Sequence, residues 1–154
     1  MESGEKVEGP WLSLAVICEK VIEDKENRLS LIGLMDRITF AAAGPEAPAQ
    51  MPPVTISLMV VVGFKSGFAR GSYMVGMQPV SPSGKRGPLL SAQLLFEGED
   101  RGANFISQVM ANLTEPGLHW FDIMLENRVV TRIPLRIVYQ SVSMGPSAPP
   151  AMTE

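Results

Sequence analysis

Residues 115–139, EPGLHWFDIMLENRVVTRIPLRIVY, hold the clearest two-residue period in the chain and constrain the fold most. Phe121, Ile123 and Leu125 share one parity. Beyond a polar interruption, Val129, Thr131, Ile133, Leu135, Ile137 and Tyr139 share the same parity. Strand side chains alternate between faces, so each set makes one apolar face. In an antiparallel hairpin the two faces coincide only when the loop holds an odd number of residues. Glu126-Asn127-Arg128 meets that condition, and Asn tolerates the left-handed backbone such a loop uses. The facing pairs follow: Leu125 with Val129, Met124 with Val130, Asp122 with Arg132, Trp120 with Pro134 and Leu118 with Arg136. A slip of one residue would set Asp122 beside Ile133 and spoil the shared face.

The rest of the chain reads as further strands over this hairpin. Residues 11–24 are apolar on both faces at Leu14-Ala15-Val16-Ile17-Cys18, as an interior strand is. After a turn at Lys25-Glu26-Asn27, residues 28–40 return as a second strand. Gly33 within it marks a bulge or a close approach of another backbone. Residues 41–53, with four prolines and no period, read as a crossover between sheets. Residues 54–64 and 72–80 are strands separated by a loop at 65–71, and 89–97 is a fifth strand before a turn at 98–102. Residues 103–114 fit both a strand face and a helical stripe; the neighbouring strands favour strand. The expected fold is all-β: an antiparallel β-sandwich of about eight strands with Greek-key character, a closed β-barrel being the alternative. Residues 10–140 form the single domain of this reading. Residues 1–9 and the Pro/Ala/Ser-rich 141–154 read as disordered termini.

Composition narrows the function classes. The formal net charge is −3, and the 13 basic residues form no run, which disfavours nucleic acid and anionic membrane surfaces as partners. One cysteine, Cys18, makes no internal disulfide and reads as a small buried hydrophobe. The acidic start MESGEKVEGP lacks the basic region of a signal peptide, so a reducing, cytoplasmic setting is expected.

No motif carries chemistry. His119 is the sole histidine and has no nucleophile placed near it by any motif; it reads as structural or exposed. One His and one Cys make no zinc site. Glu97, Glu99 and Asp100 match no calcium loop, and Arg101 sits beside them. Glu19-Lys20 and Asp36-Arg37 suggest cross-strand charge pairing. No catalytic, cofactor-binding or metal residue is assigned, and no cofactor is expected.

Several short segments support a resemblance. These are Cys18–Val21, Leu31-Ile32-Gly33-Leu34-Met35-Asp36-Arg37-Ile38, Gly71–Tyr73 leading to Pro82-Ser83-Gly84, and Glu115-Pro116-Gly117-Leu118-His119 leading to Ile133-Pro134-Leu135. Over about residues 11–139 the chain resembles a family of small bacterial β-sandwich proteins of unknown function. The resemblance implies the fold and a bacterial, cytoplasmic setting. It implies no activity and no functional residue.

The expectation is a non-enzymatic protein-interaction or structural module, self-associating or bound to another protein. The alternative is a module that binds a small apolar ligand. The hairpin register gathers Leu118, Trp120, Met124, Val130 and Val138 on its outward face, where polar residues are the norm. A contiguous apolar set there marks a candidate interface, unless a loop such as residues 41–53 covers it.

Overall fold

The computed structural model describes residues 8–142. The expected tails, residues 1–9 and 141–154, lie largely outside them. Glu8 is within them, and its carbonyl accepts the Phe68 amide at 3.1 Å; Ser141 and Val142 belong to the last strand. Among the described residues there are seven strands: β1 (Trp11–Glu23), β2 (Leu29–Leu34), β3 (Arg37–Ala43), β4 (Val54–Val80), β5 (Leu90–Leu113), β6 (Gly117–Leu125) and β7 (Arg128–Val142). They form one open, mixed sheet in the order β2-β1-β4-β6-β7-β3, with β5 on β4 off this path. All neighbours are antiparallel except β3 and β7, which run parallel. The wholly antiparallel reading and the closed barrel are both corrected by this topology. As expected, β1 is interior and residues 103–113 are strand.

The count of seven arises from two mergers and one split. Residues 65–71 and 98–102, read as loop and turn, lie inside β4 and β5, which are 27 and 24 residues long. The ladder between them shifts register at Lys65/Gly67 and Gly67/Arg70 but does not stop. Gly67 and Gly98 take positive φ there; within the bend only Gly67↔Glu99 pairs across the ladder, and the Phe68 amide turns to the Glu8 carbonyl instead. Ser66, fully buried, closes the bend by donating from Oγ to the Arg101 carbonyl at 2.8 Å. Before the bend β4 carries β1 on its second edge; after it, β4 carries β6 there.

The split falls at Met35-Asp36, and it shows how strongly the sheet curls. β2 and β3 end opposite sides of a six-strand path, about 24 Å apart if flat. The three Cα steps from Leu34 to Arg37 span at most about 11 Å. Accordingly Met35 N donates to Ile17 of β1 at 3.0 Å, while the Asp36 carbonyl accepts Arg136 N of β7 at 2.8 Å. Cα atoms of β1 and β7 approach within 8 Å across the curl. Gly33, with φ +74°, lies where an added Cβ would be 3.0 Å from Cβ of Glu19, so the close approach it signalled is to a β1 side chain.

One core fills the curl. Ile17, Val60 and Phe64 from before the bend join Val75, Phe121 and Leu135 from beyond it. Phe96 meets Phe64 and Tyr73 edge-on, with centroids at 5.9 Å and 5.1 Å. The hairpin parity holds: Phe121, Ile123, Leu125, Ile133, Leu135 and Ile137 are all buried. Pairing runs from Gly117↔Ile137 to Ile123↔Thr131 as the parity requires, then shifts to Met124↔Val129 and Leu125↔Arg128. The turn is therefore two residues, Glu126-Asn127, with φ 50° and 66°, and a bulge at Val130 absorbs the extra residue. Val129, expected inside, is turned out opposite Met124 and is 54% exposed.

Glutamate is an unfavourable residue for φ 50°. Its carboxylate accepts the Met74 amide of β4 at 2.9 Å, and its own amide donates to the Met74 carbonyl at 2.8 Å. These bonds hold the turn against β4 and offset the backbone cost. Asn127→Gly is expected to raise stability by about 0.5 kcal/mol. Glu126→Gly is expected to give no such gain, because it loses the Met74 bond. Urea unfolding of the two variants checks this.

Candidate functional site

The outward face of β6 and β7 is set by their register and by what folds over it. Leu118, Trp120, Met124 and Val138 are half-buried, and Val130 is 37% exposed. Trp120 faces Pro134, Leu118 faces Arg136, and Val138 faces Thr39 of β3. Met124 faces Val129 rather than Val130 because of the bulge.

Between the apolar residues sits a charge network. Asp122 is buried, as the expected pairing with Arg132 allows: Arg132 Nε donates to its Oδ1 at 2.6 Å. Arg86 Nη1 stands 3.8 Å from Oδ2 and reaches Gln78 Oε1 at 3.3 Å. Gln78, the β4 neighbour of Asp122, donates from Nε2 to the Gly87 carbonyl at 3.0 Å. The segment 81–87 thus folds over Asp122. Of residues 41–53, Met51 joins the core and the Pro48 carbonyl accepts the hydroxyl of core-packed Tyr139 at 2.6 Å, which places both on the inner side. The Arg132 guanidinium lies 4.7 Å from the Trp120 ring centroid, a cation–π contact.

The parallel pairing of β3 with β7 sets Arg37 beside Arg136, on the same side as Arg132. Four arginines, Arg37, Arg86, Arg132 and Arg136, therefore share the face with the candidate interface residues. Sequence reasoning paired Arg132 and placed Arg136 but missed Arg37 and Arg86. A parallel edge strand and a folded-back loop brought those in, and neither has a local signal. The suggested pairing of Glu19-Lys20 with Asp36-Arg37 does not occur: Lys20 faces Ile32, and Arg37 faces Arg136.

Beside this face, a cleft of about 540 Å³ opens between the end of β5 and the β4–β6 end. Met77, Leu90, Val109, Leu113 and Phe121 give it an apolar wall, and Lys85 and His119 also line it. His119 is buried, and its Nε2 lies 2.9 Å from the Glu115 carbonyl. A carbonyl only accepts, so Nε2 carries the proton and the ring braces the turn into β6.

Cys18 lies buried in β1, and desolvation pushes its thiol pKa up, which disfavours the reactive thiolate. Glu97, Glu99 and Asp100 lie within β5, and Glu97 pairs with Arg101 at 3.6 Å. Among the described residues no three potential metal ligands converge, and no helix is long and apolar enough to cross a membrane.

Compared with known proteins, residues 13–138 match a family of unknown function, DUF6941. The chain belongs to this family. A search of curated proteins finds no match.

The buried Asp122 makes Arg132 the sensitive residue of the face. Arg132→Ala is expected to cost about 2 kcal/mol, because it strands a buried carboxylate. Arg86→Ala, which removes a longer and more exposed contact, is expected to cost under about 1 kcal/mol. Replacing Asp122 and Arg132 together by Leu should recover most of the Arg132→Ala loss. Denaturant unfolding of the series measures each.

Proposed function

We propose that this domain is a non-enzymatic interaction module whose working surface is the outward face of β6, β7 and β3. The observation that supports it best is Trp120 beneath Arg132, among Leu118, Met124, Val130 and Val138 and three further arginines. Tryptophan and arginine dominate the energetics of protein interfaces, and methionine is enriched there too. Asp122 is already matched by Arg132, so Arg37 and Arg136 remain available to carboxylates. The partner of this reading is a protein that presents acidic side chains around an apolar centre. The setting proposed with it is a bacterial cytoplasm, with whose reducing character the free, buried Cys18 is in keeping. The fold that goes with it is the open mixed sheet curled over into a two-layer sandwich with Greek-key connections, a reading that the crossing at Met35-Asp36 supports.

Affinity capture with the wild type and with Trp120→Glu tests the face. The wild type should retain an acidic protein that the variant loses, and about 1 M salt should release it, since charges are then screened within about 3 Å. Equal capture by both proteins would sink the proposal.

The cleft favours a second reading: an apolar small molecule with an anionic end near Lys85. Its volume falls within the range of roughly 300–1,000 Å³ typical of ligand sites. Medium-chain fatty acids should raise the melting temperature in proportion to the logarithm of their concentration. Leu90→Trp, which fills the cleft, should abolish that rise. No rise with the wild type would remove this reading.

A further inference from the structure

Strand β5 pairs with β4 along one edge, and among the described residues nothing pairs with its other edge over all 24 residues. The two terminal strands of the sheet, β2 and β3, are only 6 and 7 residues long. A bare edge offers unpaired N–H and C=O groups to another strand, and proteins normally guard it with charges, prolines or bulges. In β5 the guards stand together at the bend, as Glu97, Glu99, Asp100 and Arg101. Residues 103–113, ANFISQVMANL, contain no charge and no proline. They pair with β4 in unbroken register from Val54↔Leu113 to Phe64↔Ala103. Met110 within this stretch is 65% exposed.

This stretch is complementary to itself. In an antiparallel pair of two copies about a two-fold axis at Gln108, Asn104 faces Asn112 and Ile106 faces Met110 on the outer side. On the inner side Phe105 faces Ala111, Leu113 faces Ala103 and Val109 faces Ser107, each a larger side chain against a smaller one. Moving the axis by half a residue would set outer side chains beside inner ones. Moving it to Ser107 would set Asn104 against Met110, and to Val109 would set Ile106 against Asn112. Axes at Ile106 or Met110 also match in kind but pair only seven residues of the stretch; the axis at Gln108 alone pairs all eleven with polar against polar and apolar against apolar on the outer face. Gln108 donates from Nε2 to Ser57 Oγ at 2.9 Å, which leaves its Oε1 and second N–H for the opposing glutamine.

We propose that the 103–113 edge of β5 pairs antiparallel with the same edge of a second copy of this chain, centred on Gln108. The sheet then continues across the two-fold axis through about ten new backbone hydrogen bonds. The pairing is isologous, so it closes at two copies and consumes the bare edge instead of propagating it. It uses a strand edge where the arginine reading uses the outward face of β6, β7 and β3, the two adjoining at the cleft that Gln108 and Met110 line with Arg86 and Trp120.

Light scattering on the eluting protein should give twice the 16.7 kDa of one chain. Gln108→Lys, which sets two ammonium groups against each other on the axis, and Met110→Lys should both return the mass to 16.7 kDa with an unchanged far-UV spectrum. Register is read by cross-linking. Gln108→Cys should form an interchain disulfide under mild oxidation. Asn104→Cys alone should not, but its mixture with Asn112→Cys should. Cys18, being buried, stays out of the reaction. Trp120→Glu should leave the doubled mass intact, which separates this proposal from the arginine-face reading. A wild type that remains at 16.7 kDa at about millimolar concentration overturns the proposal. So does a doubled mass that survives Gln108→Lys, or one accompanied by no cross-link in Gln108→Cys. Occupation of the edge by a strand of another protein, in place of a second copy, also overturns it.

Discussion

The continuous ladder between β4 and β5 is the constraint on which the rest of the structure depends. It runs from Val54↔Leu113 to Met77↔Leu90 and survives the bend at 65–70 through two register shifts. Because the ladder resumes on both sides of that bend, with Gly67↔Glu99 paired within it, one hairpin supports everything else. The residues before it receive β1 and β2; those after it receive β6, β7 and β3. An irregular loop in its place would have to find other partners for buried backbone groups beside Ser66 and Gly67. It would also uncouple the two halves whose side chains meet around Phe64 and Phe96.

The second constraint is the two-residue crossing at Met35-Asp36. It ties β1 to β7 at opposite ends of the strand path and so limits how far the sheet can open. Curling creates the enclosed core, and it also decides which surfaces remain outside. The β6–β7 face turns outward with its arginines, and the cleft lies where the end of β5 diverges from β6. The candidate surfaces are thus consequences of the bend and the crossing, not additions to the fold.

On the outward face, apolar and charged groups depend on each other. Arg132 satisfies a carboxylate that β6 carries out of water, and the same guanidinium lies over Trp120. Half-buried Trp120 and buried Asp122 therefore share one partner side chain, while Arg86 of the 81–87 segment also reaches Asp122. Such a network fixes geometry more than it adds stability, since much of the Coulombic gain is offset by desolvation. A face held in one arrangement in this way loses little side-chain freedom when a partner arrives.

Period and parity were legible in the amino-acid sequence alone. Alternation from Phe121 to Ile137 determined the inner face of the hairpin and the facing pairs from Leu118 to Asp122, because a strand repeats every two residues whatever surrounds it. Buried Cys18 and the interior position of β1 were readable for similarly local reasons. Tertiary structure decided what depends on distant residues. The two-residue turn is possible because Glu126 finds Met74, a residue 52 positions away, and that choice turns Val129 outward. Gly67, Gly98 and the charges around them carry the ordinary signals of loops; only their pairing with each other makes them a bend inside two long strands. Arg37 reaches the candidate face through parallel pairing, and Arg86 reaches it through a folded-back loop. Local sequence sets which side of a strand a residue occupies, but long-range pairing sets which strands become neighbours, and the surfaces of this protein are made by neighbours.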